Sequence, residues 1–198
     1  SDLQTAPTLS EVLPRYTDEQ LARLIWYGVK HDGRSAIGMS SYTFWALGDQ
    51  DLANVIAHLR QNQKAYPPRP RTLELTWRAR FAMVTGTWSV AAERVDRSRP
   101  RLGNLAQKDR SERGRYIATV TCTECHGLDF TGSELEHAPS LARIAMYSRE
   151  QFRHFMRTGE PIGGREIPSM RWVAETPFSD LEIDGMFDFL RAHHGIKS

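Results

Sequence analysis

The sequence predicts an all-α protein, and three observations carry that expectation. Apolar side chains recur at helical spacing, as in Leu21, Leu24 and Ile25 and again in Phe152, Phe155 and Met156. N-cap residues followed three positions later by Gln or Glu mark helix starts: Thr17 with Gln20, Ser148 with Gln151, Ser179 with Glu182. The two ends of the chain also match each other at a fixed offset of 131 residues, so one helical pattern is written twice.

The match runs without a gap over about 45 positions. Tyr16-Thr17-Asp18-Glu19-Gln20 falls on Tyr147-Ser148-Arg149-Glu150-Gln151, Gly28 on Gly159, and Gly33-Arg34 on Gly164-Arg165. Met39 falls on Met170, Asp49 on Asp180, and Leu59-Arg60 on Leu190-Arg191. Each copy reads as helix, loop, helix. Gly28 and Gly159 are C-cap candidates, and a Gly-rich loop then leads to the methionine. In the second copy a last helix begins near Ser179, is expected to bury Leu181, Met186, Phe189 and Leu190, and ends at Gly195. Ahead of that copy, residues 110–121 read as a helix with Tyr116, Ile117 and Val120 on one side. Gly114 lacks a side chain there, so the final helix with its Phe187 and Phe189 can cross it closely.

Three parts are therefore expected: a partial module at 1–65, a linker at 66–109 and a complete module at 110–198. The first copy starts at Ala6-Pro7-Thr8-Leu9, which matches Ala138-Pro139-Ser140-Leu141 with a one-residue shift. It has no counterpart of the helix before the second copy. The linker opens with Pro67-Pro68-Arg69-Pro70-Arg71, a stiff and extended composition. Trp77, Phe81, Val84 and Trp88 then follow at the spacing of one helix face. That stripe is expected to pack on the neighbouring domain, the alternatives being a membrane surface or a partner subunit. Arg94 to Arg101 reads as basic and exposed.

The chain has two cysteines, both in Cys122-Thr123-Glu124-Cys125-His126. A C-x-x-C-H run reads as a c-type haem attachment site. Two thiols add across the porphyrin vinyl groups, and the adjacent imidazole supplies an axial nitrogen to iron. A thioredoxin-like C-x-x-C would need a βαβ setting, and the flanks offer no alternating strands. A structural zinc site wants four ligands, whereas His137, the nearest spare histidine, has no partner cysteine. A Cys122–Cys125 disulfide would close too small a loop to stabilise much.

His126 is thus the expected proximal ligand. Met170 is the expected second one, 44 residues later in a loop, between Pro168 and Trp172 and outside any helical stripe. Met39 is its equivalent in the first copy and would serve a second haem. Met146, Met156 and Met186 fall in or beside apolar helix faces, where packing is their expected role. His137 and His154 compete as ligands but read as surface residues. A metal-bound histidine usually donates its other N–H to a backbone carbonyl, and Pro139 stands about where that carbonyl is needed. Arg165 and Arg34 recur at matched positions and suit haem propionates. Trp172 and Tyr147 are candidates to pack on the porphyrin.

The charge of +2 is unevenly spread. Residues 66–113 carry eleven basic against five acidic side chains, while both flanking parts are mildly acidic. An ordinary solvated linker accounts for that better than a nucleic-acid site, and no nucleic-acid partner is expected. No apolar run approaches a membrane span, and no signal peptide is visible. Because haem is attached outside the cytoplasm, a processed, exported protein is expected.

Residues 114–195 resemble a class I cytochrome c module, through Gly114-x-Tyr116, Cys122-x-x-Cys125-His126, Pro139-x-Leu141, Met170 and a closing aromatic helix. The whole chain is similar to the tandem dihaem c-type cytochromes, which join two such modules by a linker. The resemblance implies electron transfer between redox protein partners, commonly a dehydrogenase or quinol-oxidising complex and an acceptor. It equally allows a catalytic tandem cytochrome of the thiosulfate-dehydrogenase or peroxidase kind, or a haem subunit of a respiratory or photosynthetic complex. It also makes Thr17-Asp18-Glu19 through Met39 the distal half of a first haem module. The chain departs from the family in lacking the first C-x-x-C-H. Either an upstream segment carries it, or the first module survives without haem.

Overall fold

A computed structural model of the chain describes residues 7–62, 76–134, 136–164, 167 and 170–196. The chain divides into two units, Ser1–Asn104 and Leu105–Ser198. Both are helical. Among the described residues no strand forms, and extended pairing is confined to the isolated bridges Val29–Ser35 and Ser133–Ala138.

In the first unit, α1 (Leu9–Val12) passes into a 3-10 turn at Leu13–Arg15, followed by α2 (Asp18–Tyr27), α3 (Ser41–Phe44), α4 (Asp49–Gln61), α5 (Trp77–Val84) and α6 (Ala91–Arg94). Leu13, Leu21, Ile25, Tyr42, Leu52 and Ile56 form its core. Arg60 of α4 ties the chain start to that core, donating to the carbonyls of Leu13 and Tyr16 and pairing with Asp18 at 2.8 Å.

In the second unit, α7 (Arg110–His126) precedes a 3-10 stretch at Leu141–Met146, α8 (Arg149–Thr158), α9 (Arg171–Ala174) and α10 (Asp180–His193). The repeat is realised in the backbone. α2 and α8 start and end 131 residues apart, each with a Ser or Thr capping box and a left-handed glycine, Gly28 at φ 67° and Gly159 at φ 75°. α4 and α10 start at the same offset. Buried positions coincide too: Leu13 with Ile144, Leu21 with Phe152, Ile25 with Met156, Leu52 with Ile183, Ile56 with Phe187. Fixed caps and fixed core positions are what a duplicated packing problem demands.

α7 and α10 form the most extensive helix contact of the second unit. They cross at Gly114 and Gly185. A Cβ on Gly114 would overlap the carbonyl group of Gly185, and one on Gly185 would lie 2.6 Å from the Arg110 carbonyl oxygen. Backbone therefore lies on backbone, and Ile117, Ala118, Ile183, Met186 and Leu190 are buried.

A charged cluster joins the same helices. Arg153 of α8 forks onto Asp184 of α10 at 2.7 and 2.6 Å. Arg149 reaches Asp188 at 2.6 Å, and Arg110 of α7 reaches Asp188 at 2.8 Å and Asp184 at 3.4 Å. The Arg153 guanidinium, hydrogen bonded to the Asp184 carboxylate, holds that carboxyl below the usual range. Arg149 also lies 4.9 Å over the Phe187 ring.

Several expectations are corrected. The helix expected over 110–121 continues through the cysteines to His126. Leu181 and Met146, expected in the core, are exposed, while Ile183 and Phe187 take the inward positions. Within the α5 segment, Trp77 is 72%, Phe81 63% and Val84 87% exposed. Residues 91–104, expected within the linker, are instead part of the body of the first unit. Val95 is buried, and Arg94 stacks on Tyr42 at 4.0 Å and Arg101 on Trp26 at 3.7 Å. Trp45 Nε1 donates to the Arg99 carbonyl at 2.8 Å, and Arg101 pairs with Asp49 at 2.6 Å. Arg94 and Arg97 are exposed, as expected, while their guanidinium groups stack on Tyr42 and Tyr27. The stiff stretch at 67–71 lies outside the described residues.

Gly114→Ala or Gly185→Ala is expected to cost about 3 kcal/mol or more, because backbone rather than a movable side chain must yield; urea denaturation monitored by circular dichroism measures this. Asp184→Asn is expected to cost about 2 kcal/mol. Since the folded carboxyl titrates below the unfolded one, its stabilisation is complete above about pH 4 and is lost as pH falls through the folded value. Acid denaturation should therefore be steeper for the parent than for Asp184→Asn.

Candidate functional site

The last turns of α7 carry Cys122, Cys125 and His126, so helix geometry presents two thiols three residues apart with an imidazole beside the second. Gly127 ends the helix at φ 79°, and the chain folds back sharply. Gly132 N–H donates to the His126 carbonyl at 2.9 Å, and Leu141 N–H to the Phe130 carbonyl at 2.9 Å. Gly132, at φ 100°, has no room for a side chain: a Cβ would lie 2.8 Å from Ser140 N. Phe130 adopts φ 58°, a left-handed conformation costing a bulky residue about 1–3 kcal/mol. Burial of its ring, worth about 1.5–3 kcal/mol, together with edge contacts to Phe189 and His193, offsets that strain. His193 Nε2 also donates to the Asp129 carbonyl at 3.1 Å, so α10 holds the loop at two points.

This folded-back loop delivers the Pro139 carbonyl to His126. Nδ1 donates to Pro139 O at 2.7 Å. That bond fixes the tautomer with the proton on Nδ1 and leaves the Nε2 lone pair available to a metal. The residue is 8% exposed, and burial pushes its pKa down, with the Pro139 bond acting against the shift. The ring is therefore neutral at pH 7, the state a ligand needs.

Neither cysteine is bonded to the other. Burial pushes both thiols up, with Glu124 and Glu136 adding to the effect at Cys125 and Thr121 opposing it at Cys122. Dithiol redox sites depend on a depressed thiol pKa. The present shift has the opposite sign. Among the described residues no group of three or more His, Cys, Asp and Glu side chains is gathered to hold a metal ion. The chemistry of the donor set, one neutral buried imidazole with two adjacent thiols, fits a metal carried inside a group that the thiols anchor.

Of the residues singled out in the sequence, Cys122, Cys125, His126 and Pro139 are brought together. Met170 is half-buried and leads into α9, its N–H donating to the Ile167 carbonyl at 2.8 Å. Trp172 is 46% exposed on α9, which packs on α8. Tyr147 stacks toward Phe155 at 5.8 Å. Arg165 lies outside the described residues. Arg34 is committed to Asp32 at 2.7 Å and draws that carboxyl down to about 2. Met39 is half-buried in the loop before α3. His137 lines an open polar cavity of about 580 Å³ beside Pro139, and His154 faces Glu160 at 3.6 Å; both sit on the surface, as expected. Phe130, His193 and the Arg–Asp cluster escaped sequence reasoning. For the cluster a signal existed, since Arg149 and Arg153, like Asp184 and Asp188, stand four apart on one helix face.

No family model matches the chain, and no curated protein matches it either.

Because burial raises both thiols, alkylation of the free-thiol protein by iodoacetamide should still be accelerating with pH at about pH 8.5. A rate that levels off below pH 8 would contradict the assigned environment.

Proposed function

We propose that the Leu105–Ser198 unit is a class I cytochrome c module and that the chain transfers single electrons through one covalently attached haem c. The observation that carries this reading is the buried His126, neutral and held by Pro139 at 2.7 Å with Nε2 left free, beside two thiols on the same helix end. Cys122 and Cys125 would form the thioethers, and His126 and Met170 would supply the nitrogen and sulfur ligands to the iron. The bound group supplies a one-electron iron couple whose potential is raised by thioether ligation.

The chain's own residues do the rest. Pro139 keeps the imidazole oriented, and α7 holds both sulfurs in one frame. Trp172 and Tyr147 offer aromatic surface to a flat apolar group, and Arg165 offers charge to propionates. Met170, as a second ligand to such an iron, would exclude small ligands and favour transfer over catalysis. The corresponding place for such a protein is the periplasm or the outer face of the cytoplasmic membrane, between a protein donor and a protein acceptor, free or as a subunit of a membrane-associated complex. Met39 is the residue through which the first unit would serve a second haem. Among the described residues no helix is long and apolar enough to cross a membrane.

The exported protein is expected to show a c-type pyridine haemochrome spectrum with one haem per 198-residue chain. Cys122→Ala combined with Cys125→Ala should abolish attachment that survives acid–acetone extraction. Met170→Ala should lower the midpoint potential and erase the weak far-red band of the oxidised protein. An unchanged potential would refute Met170 as ligand, and a colourless parent protein would refute the whole reading.

A further inference from the structure

We propose that α5 docks the chain peripherally onto an anionic phospholipid surface. α5 presents Trp77, Phe81 and Val84 on one face, 72%, 63% and 87% exposed. The helix end is folded by Trp88 N–H donating to the Ala82 carbonyl at 3.0 Å, which returns Trp88, itself exposed, to the same end of the element. Four large apolar side chains thus stand in solvent within one short segment. Burying each would release about 1.5–3 kcal/mol, so the segment has a strong drive to be covered.

Charge decides what covers it. From Thr76 to Ala92 the chain contains Arg78 and Arg80 and not one Asp or Glu. At about 100° per residue, Arg80 falls to one side of the apolar stripe and Arg78 to the other. Both are exposed, and Arg78 lies 5.5 Å from the Trp77 ring centroid. Tryptophan at the apolar edge with arginines on both flanks matches a headgroup boundary. There the rings sit at the acyl margin, the arginine stems lie along apolar surface and the guanidinium groups meet phosphates. A protein partner would need a complementary acidic rim around an apolar pocket, whereas an anionic bilayer supplies both everywhere on its surface.

The test is co-sedimentation of the full chain with phosphatidylcholine vesicles made with and without phosphatidylglycerol, at low and high salt. Binding is expected only with phosphatidylglycerol, weakening at high salt. Trp77→Ser with Phe81→Ser should weaken it roughly tenfold or more. Arg78→Gln and Arg80→Gln should each weaken it about fivefold. These side chains are exposed, so unchanged circular dichroism is expected to show that the variants remain folded. Equal binding to both vesicle types, or variants that bind like the parent, would overturn the proposal. So would a parent that ignores vesicles yet forms a dimer lost in the Trp77/Phe81 variant, which would assign the face to a second copy of the chain.

Discussion

The second unit depends on one steric constraint: α7 and α10 touch through glycine backbone at Gly114 and Gly185. Close approach there sets the distance between the helices, and the distance decides what else fits. Ile117, Ala118, Ile183 and Met186 are buried beside the crossing. The crossing also lines up the partners of the charged cluster, because Arg110 on α7 can reach Asp184 and Asp188 only if the helices lie that near. Three guanidinium groups around two carboxylates leave each charge answered while its solvation is reduced. The crossing and the cluster together fix α7, and α7 carries the cysteines and the histidine.

The two units solve a common layout with different chemistry. Both use a capped ten-residue helix ended by a left-handed glycine and a second helix starting at the same offset. Where the second unit lays α7 and its arginine–aspartate contacts, the first wraps residues 91–104 around its helices. Guanidinium groups there stack on Tyr42, Tyr27 and Trp26. Gly28 allows that wrap, since a Cβ on it would sit 2.7 Å from the Ala91 Cβ.

Local signals were legible in the sequence because they have local causes. Capping boxes, C-cap glycines and the repeat all translated directly into element boundaries, and Gly114 announced a close crossing. Within the site, the identity of the thiols and imidazole and the Pro139 carbonyl were readable from spacing. What spacing could not show was how a loop returns. Phe130 at positive φ and the His193 bond to Asp129 arise only once α10 is in place. Arg94 to Arg101 is largely exposed, as its charge suggested, but charge counts do not show that guanidinium faces also cover aromatic rings.

α7 also acts as a ruler. From Gly114 to His126 is twelve residues of unbroken helix, about 18 Å and a little over three turns. One residue inserted or deleted anywhere in that span would turn the thiols and the imidazole by about 100° relative to the glycine crossing. No side-chain adjustment could recover such an error. Changes in residue number are therefore expected to be tolerated only in the loops on either side of the ruler, and not within it.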